Sequence, residues 1–160
     1  MAATGLDVFD KTLQTTNIWL DEVMTDLGPD RKIAYRALRA VLHALRDRLT
    51  VGEAAHLGAQ LPLLVKGIYF DMWRPAATPL SIRTEEEFCA RVAAELHDTR
   101  PINIPDAVRS VFRTLGAHVS QGEVEQVKAQ LPEPIRRLWP ETMVASAREP
   151  AFAGSKPQEA

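Results

Sequence analysis

Glu53-Ala-Ala-His56 places a carboxylate and an imidazole three residues apart. On a helix that spacing puts both on one face. Two such motifs with two further glutamates build a di-metal carboxylate site in a four-helix bundle. Here Gln126 stands where a second histidine would be needed, so the set is incomplete. Glu53 also has a capping task, set out below. His56 therefore reads as a surface histidine.

The remaining histidines are His43, His97 and His118, and no two of the four lie at i,i+4. A zinc site needs three or four convergent ligands, and this spacing predicts none. Cys89 is the chain's one cysteine and sits beside Phe88, Val92 and Ala93, so it reads as core filler. A single cysteine also excludes a disulfide scaffold. There is no G-x-S-x-G and no phosphate-binding or dinucleotide glycine fingerprint. The expectation is no catalytic residue, no cofactor and no metal.

One pattern could bind something. Lys32, Arg36, Arg39, His43 and Arg46 recur at 4-3-4-3 spacing, one cationic stripe about three helical turns long. Arg109 and Arg113 echo it later. Such a stripe suits an anion, a nucleic acid or an acidic partner. It reads first as a solvated face whose arginines pair with Asp21, Glu22 or Glu85 to Glu87. No interleaved aromatics support single-strand binding.

These residues need helices to carry them, and the chain supplies helical grammar throughout. Its 160 residues are 46% apolar and 25% charged, with a formal charge of -2. That balance excludes a disordered chain and gives no global field toward nucleic acid or an anionic membrane. A chain of this size buries about two-thirds of its unfolded surface. The most apolar run, Leu61 to Phe70, is broken by Lys66 and too short to span a bilayer. The start, MAATGLDVFDKT, is acidic where a signal peptide is basic. A cytoplasmic protein with no membrane partner is the expectation.

Residues 37–69 laid on 107–139 match at 10 of 33 positions without a gap, including AQLP at 59–62 and 129–132. Chance gives about two matches on average usage. The chain therefore reads as all-α, two pseudo-equivalent helical-bundle repeats of about 70 residues with seven or eight helices. Repeat 1 covers 4–73, a linker 74–83, repeat 2 84–140 and a flexible C-terminal tail 141–160.

Leu6, Phe9, Leu13, Leu20, Val23 and Leu27 form the buried seam of a first helix that Gly28-Pro29 ends, with Pro29 in the next first turn. Tyr35, Leu38, Leu42, Leu45 and Leu49 mark the second helix, and Val108 to Val119 its counterpart after Pro105. Thr50-Val-Gly-Glu53 and Ser120-Gln-Gly-Glu123 are capping boxes, each predicting that the glutamate reaches back to its own cap amide. Thr84 to Glu87 is a third. Leu61-Pro62 and Leu131-Pro132 break the chain before a short fourth helix. Tyr69, Phe70, Trp73 and Trp139 gather at the repeat ends and read mainly as core.

The run IAYRALRAVLHALRDRLTVGEAAHLGAQLPLLVKGIYFDMW, followed by EEFCARVAAEL and AVRSVFRTLGAHVSQGEVEQVKAQLPEPIRRLWP, resembles the prokaryotic "domain of unknown function 2267" family over about residues 5–140. The resemblance implies a bacterial, cytoplasmic, all-helical tandem repeat, and implies no reaction. The expected function is a non-enzymatic interaction or scaffold module with a protein partner or self-association. A nucleic-acid or anion binder through the basic stripe, and a small-ligand or enzymatic pocket between the repeats, are the rivals.

Overall fold

A computed structural model describes residues 4–141. It is all-helical, with eight α-helices and no strand among the described residues. They are α1 Asp7–Leu27, α2 Arg31–Arg48, α3 Val51–Ala59, α4 Leu63–Phe70, α5 Glu85–Ala94, α6 Ile104–His118, α7 Gln121–Gln130 and α8 Glu133–Arg136, with a 3-10 turn at Pro75–Ala77. No described helix is long and apolar enough to cross a membrane. Apart from Glu141, the tail expected over 141–160 lies outside the described residues.

Local chemistry sets the boundaries. Gly28 ends α1 at φ 94°, a conformation costly for any side chain with a Cβ. The start of α2 differs from the sequence expectation. Pro29 stays outside the helix, and Asp30 caps it, accepting from the amides of Lys32 and Ile33. Asn103 does the same for α6 through Asp106 N, with Pro105 inside the first turn. Thr50, Thr84 and Ser120 cap α3, α5 and α7 through the amides of Glu53, Glu87 and Glu123.

One continuous apolar core joins both halves. Leu38, Leu42, Leu45 and Leu49 from α2 share it with Val108, Val111, Phe112 and Leu115 from α6. Helix α1 packs on α2 and α6, and α2 packs on α5 and α6, so the two halves interlock. Phe112 stacks on Trp139 at 4.5 Å between ring centroids and meets Phe88 at 5.9 Å. Tyr69 and Trp139 are buried, as expected of core aromatics, and Cys89 packs half-buried against the core. Burial pushes the Cys89 thiol up, with Glu85 adding to it.

Residues 74–83 are tied down. Asp47 O accepts the Leu80 amide at 2.7 Å, Ile82 O accepts Arg48 Nε at 2.6 Å, and Ile82 is buried. The segment lies against α2.

The seam expected along α1 is only half realised. Leu20 and Val23 are buried, together with Trp19. Leu6, Phe9 and Leu13 are exposed, and so are Leu63 and Leu64 on α4. The reason is length. Helix α1 has 21 residues, whereas α4, which meets its first half, has 8. The first turns of α1 extend past the helices that would cover them. Short α4 meets α1 at Thr12, whose hydroxyl accepts the Leu64 amide at 2.9 Å. Beside that bond runs an apolar groove of about 370 Å³ between Phe9, Leu13, Leu63, Leu64 and Gly67.

Candidate functional site

The basic stripe of α2 divides into surface and interior. Lys32 is exposed and makes no ion pair among the described residues. Arg36 pairs with Asp98 and donates to Glu95 O, a carbonyl at the end of α5. Arg39 pairs with Asp71 at 2.8 Å. Both arginines hold their partner carboxylates below the usual range, chiefly by side-chain hydrogen bonds.

His43 and Arg46 are each only 3% exposed, so they offer no surface contact, contrary to the stripe read from spacing. His43 bridges Ile68 O at 2.8 Å and Glu95 Oε1 at 3.1 Å. Arg46 donates to the carbonyls of Tyr69 and Asp71 and to the carboxylate of Asp47. The last carbonyls of a helix lack intrahelical donors and carry its negative dipole end. His43 and Arg46 satisfy those of α4, and Arg36 one at the end of α5. The same 3/4 spacing that would make a binding face serves here to close two helix ends.

Arg109 pairs with Asp106, and Arg113 pairs with Asp26 of α1. A groove of about 610 Å³ remains between Arg31, Lys32, Tyr35, Arg36, Arg39 and Glu95. Arg31 there is held by Asp21 at 2.8 Å and by Asn17. Most of the groove's positive charge is thus already neutralised, which weighs against anion capture.

The capping boxes of α3 and α7 behave differently from the expected pattern. Each hydroxyl accepts its N3 amide, but neither glutamate returns to its own cap amide. The Thr50 amide and hydroxyl instead donate to Gln130 Oε1, at 3.4 and 3.2 Å. The Ser120 amide donates to Gln60 Oε1 at 3.3 Å. These glutamines come from the two AQLP blocks, and each serves the opposite half.

Released from the caps, Glu53 and Glu123 turn toward each other where α3 meets α7. His56 joins them. One ligand atom from each of the three lies within 4.8 Å of the other two. His56 Nδ1 stands 2.5 Å from Glu123 Oε2 and 4.0 Å from Glu53 Oε1. The first contact is close but not aligned as a hydrogen bond. Glu123 is 1% exposed at its side chain, and both its oxygens lack a hydrogen-bond partner, as does Glu53 Oε1. No lysine or arginine pairs with either carboxylate among the described residues. The nearby Tyr69 hydroxyl donates to Ala54 O at 2.7 Å and stays protonated, because burial raises it well above its ordinary range.

Glu53 responds to this setting. Burial first, then the adjoining Glu123 carboxyl, raise its pKa to about 7, and His56 works in the opposite sense. A buried carboxylate disfavours its own charge, and a second one beside it does so further. The E-x-x-H spacing pairs Glu53 with His56 along one helix, but nothing in the sequence brings Glu123 to them.

No curated protein matches the chain. Residues 16–138 match the model of the family described as "Uncharacterized conserved protein (DUF2267)", and the chain belongs to that family.

Proposed function

We propose that this chain is a non-enzymatic helical interaction module of the prokaryotic cytoplasm, built by duplication of one unit over 4–73 and 84–140. The reciprocal caps, Gln60 on Ser120 and Gln130 on Thr50, support the duplication, because equivalent residues make equivalent bonds across the fold.

The observation that carries the interaction reading is the uncovered start of α1. Leu6, Phe9 and Leu13 sit at 3/4 spacing on one face, next to the groove floored by Gly67 and walled by Leu63 and Leu64. A helix face of that pattern is buried in a folded chain or against a partner helix. A second copy of this chain is the partner it fits. The face offers a ridge beside a groove, which a two-fold axis can set against one another. Asp7, Asp10 and Lys11 beside it carry both signs, so the lysine of one copy can meet a carboxylate of the other. A standard stable interface covers about 800 Å² on each partner. The dimer proposed is a weak one that dissociates on dilution.

Sedimentation over a concentration series tests this. The expected result is reversible dimerisation that Leu13→Glu abolishes while the circular dichroism stays helical. A wild-type chain that remains monomeric up to roughly millimolar concentration overturns it.

A further inference from the structure

We propose that Glu53, His56 and Glu123 form a binding site for one divalent first-row transition ion of the zinc class, lying where α3 meets α7. The proposal is independent of the interaction face on α1.

Three observations carry it. The first is the donor set. Two carboxylates and an imidazole present ligand atoms within 4.8 Å of one another. Three protein ligands of this kind, with water completing the shell, make an open zinc-type site. The imidazole selects first-row ions over magnesium and calcium, which favour all-oxygen shells.

The second is the state of Glu123. A carboxylate buried to 1% exposure with neither oxygen hydrogen-bonded is costly unless a proton or a cation compensates it. No lysine or arginine does so among the described residues, and the one basic group at hand, the His56 imidazole, is itself the third ligand. One proton neutralises one of the two facing carboxyls. A divalent ion neutralises both and gives Glu123 Oε1, Glu123 Oε2 and Glu53 Oε1 something to bind.

The third is access and adjustment. The His56 side chain is 57% exposed, whereas those of Glu53 and Glu123 are 11% and 1%. The two carboxylates are held at the helix starts and the histidine stands on the solvent side. Ligands about 2.0–2.2 Å from one ion stand farther apart than the present His56–Glu123 contact. The exposed ring is the member free to swing outward by that amount.

Chelator-treated full-length protein titrated with zinc chloride gives the test, by calorimetry and by metal content after gel filtration. The expected result is one equivalent bound, with His56→Ala and Glu123→Gln each weakening it by at least about tenfold, and His97→Ala leaving it unchanged. Cobalt(II) is expected to give a visible ligand-field absorption that zinc then bleaches. His56→Ala keeps the test valid if Glu123→Gln misfolds, because an exposed histidine is not part of the core. Failure of the wild type to bind zinc tighter than about 100 µM overturns the proposal. So does zinc binding that His56→Ala leaves unchanged, since the ion then sits elsewhere. Magnesium binding as tight as zinc binding also overturns it, because the imidazole would then not be a ligand.

Discussion

Gln130 holds the amide of Thr50 from eighty residues away. That bond takes the place of the glutamate in a capping box, and Gln60 does the same at Ser120. A capping box satisfies two donors within four residues. Here one donor of each box is satisfied from the other half of the chain. The consequence reaches beyond the caps, because Glu53 and Glu123 are left to share the space between α3 and α7. Replacing both glutamines by alanine removes these bonds while leaving the apolar core intact. We expect a loss of about 0.5–1.5 kcal/mol for each bond in urea unfolding. A double variant as stable as wild type would show that water replaces the glutamines without cost.

Arg46 gives a second prediction. Its guanidinium is buried against Asp47 and the carbonyls of Tyr69 and Asp71. Removing it leaves Asp47 buried beside only Arg91, at 3.4 Å, and takes the guanidinium donor from the carbonyls of Tyr69 and Asp71. Breaking one partner of a buried pair costs about 3–5 kcal/mol. Arg46→Ala should lose stability on that scale, whereas Lys32→Ala, at the exposed end of the same stripe, should stay within about 0.5 kcal/mol. Equal effects at the two positions would refute the division of the stripe into interior and surface.

The helices and the starts of α3, α5 and α7 are legible in the sequence because they depend on residues three or four apart, whereas the start of α2 at Asp30 is not. Thr50, Thr84 and Ser120 cap where expected, and the stripes of α2 and α6 are buried from Leu38 to Leu49 and from Val108 to Val119. Two kinds of fact were not legible. Periodicity reports that one face of α1 is apolar, but not how far neighbours extend along it, so it puts Leu6, Phe9 and Leu13 in a seam that stops at Thr16. Periodicity likewise aligns His43 and Arg46 with Lys32, but not which carbonyls need donors once α4 has been laid across α2. The approach of Glu123 to Glu53 and His56 depends on the docking of α3 on α7. Neither helix contains that information.

The uncovered start of α1 leads to a third prediction. Leu13 and Leu20 lie on the same stripe, seven residues apart, yet one is exposed and the other buried. Leu20→Ala should cost about 2–5 kcal/mol, as burial of a core leucine implies. Leu13→Ser should change the unfolding free energy of the monomer by less than about 0.5 kcal/mol. Denaturation at low concentration, where association is suppressed, separates the two. A large loss at Leu13 would mean that the groove beside α4 closes over it within the single chain.

The paired carboxyls give the last prediction, for protein kept free of metal by a chelator. Glu53 faces Glu123 from α7, His56 on its own helix and Tyr69 from α4. Its pKa stands at about 7 in the folded chain against an ordinary value of 4.5. Between those values the folded protein holds a proton that the unfolded chain has released. Stability therefore falls as pH rises through this window, because the unfolded state binds fewer protons. Below 4.5 the contribution is fully present, and above 7 it is gone. Glu53→Gln keeps the shape and removes the proton, so its unfolding midpoint should vary less between pH 5 and 8 than that of wild type. The variant should also gain on wild type toward the alkaline end, where wild type must carry two facing carboxylates. Parallel profiles for the two proteins would place the proton on another group and remove Glu53 as the origin of the pH dependence.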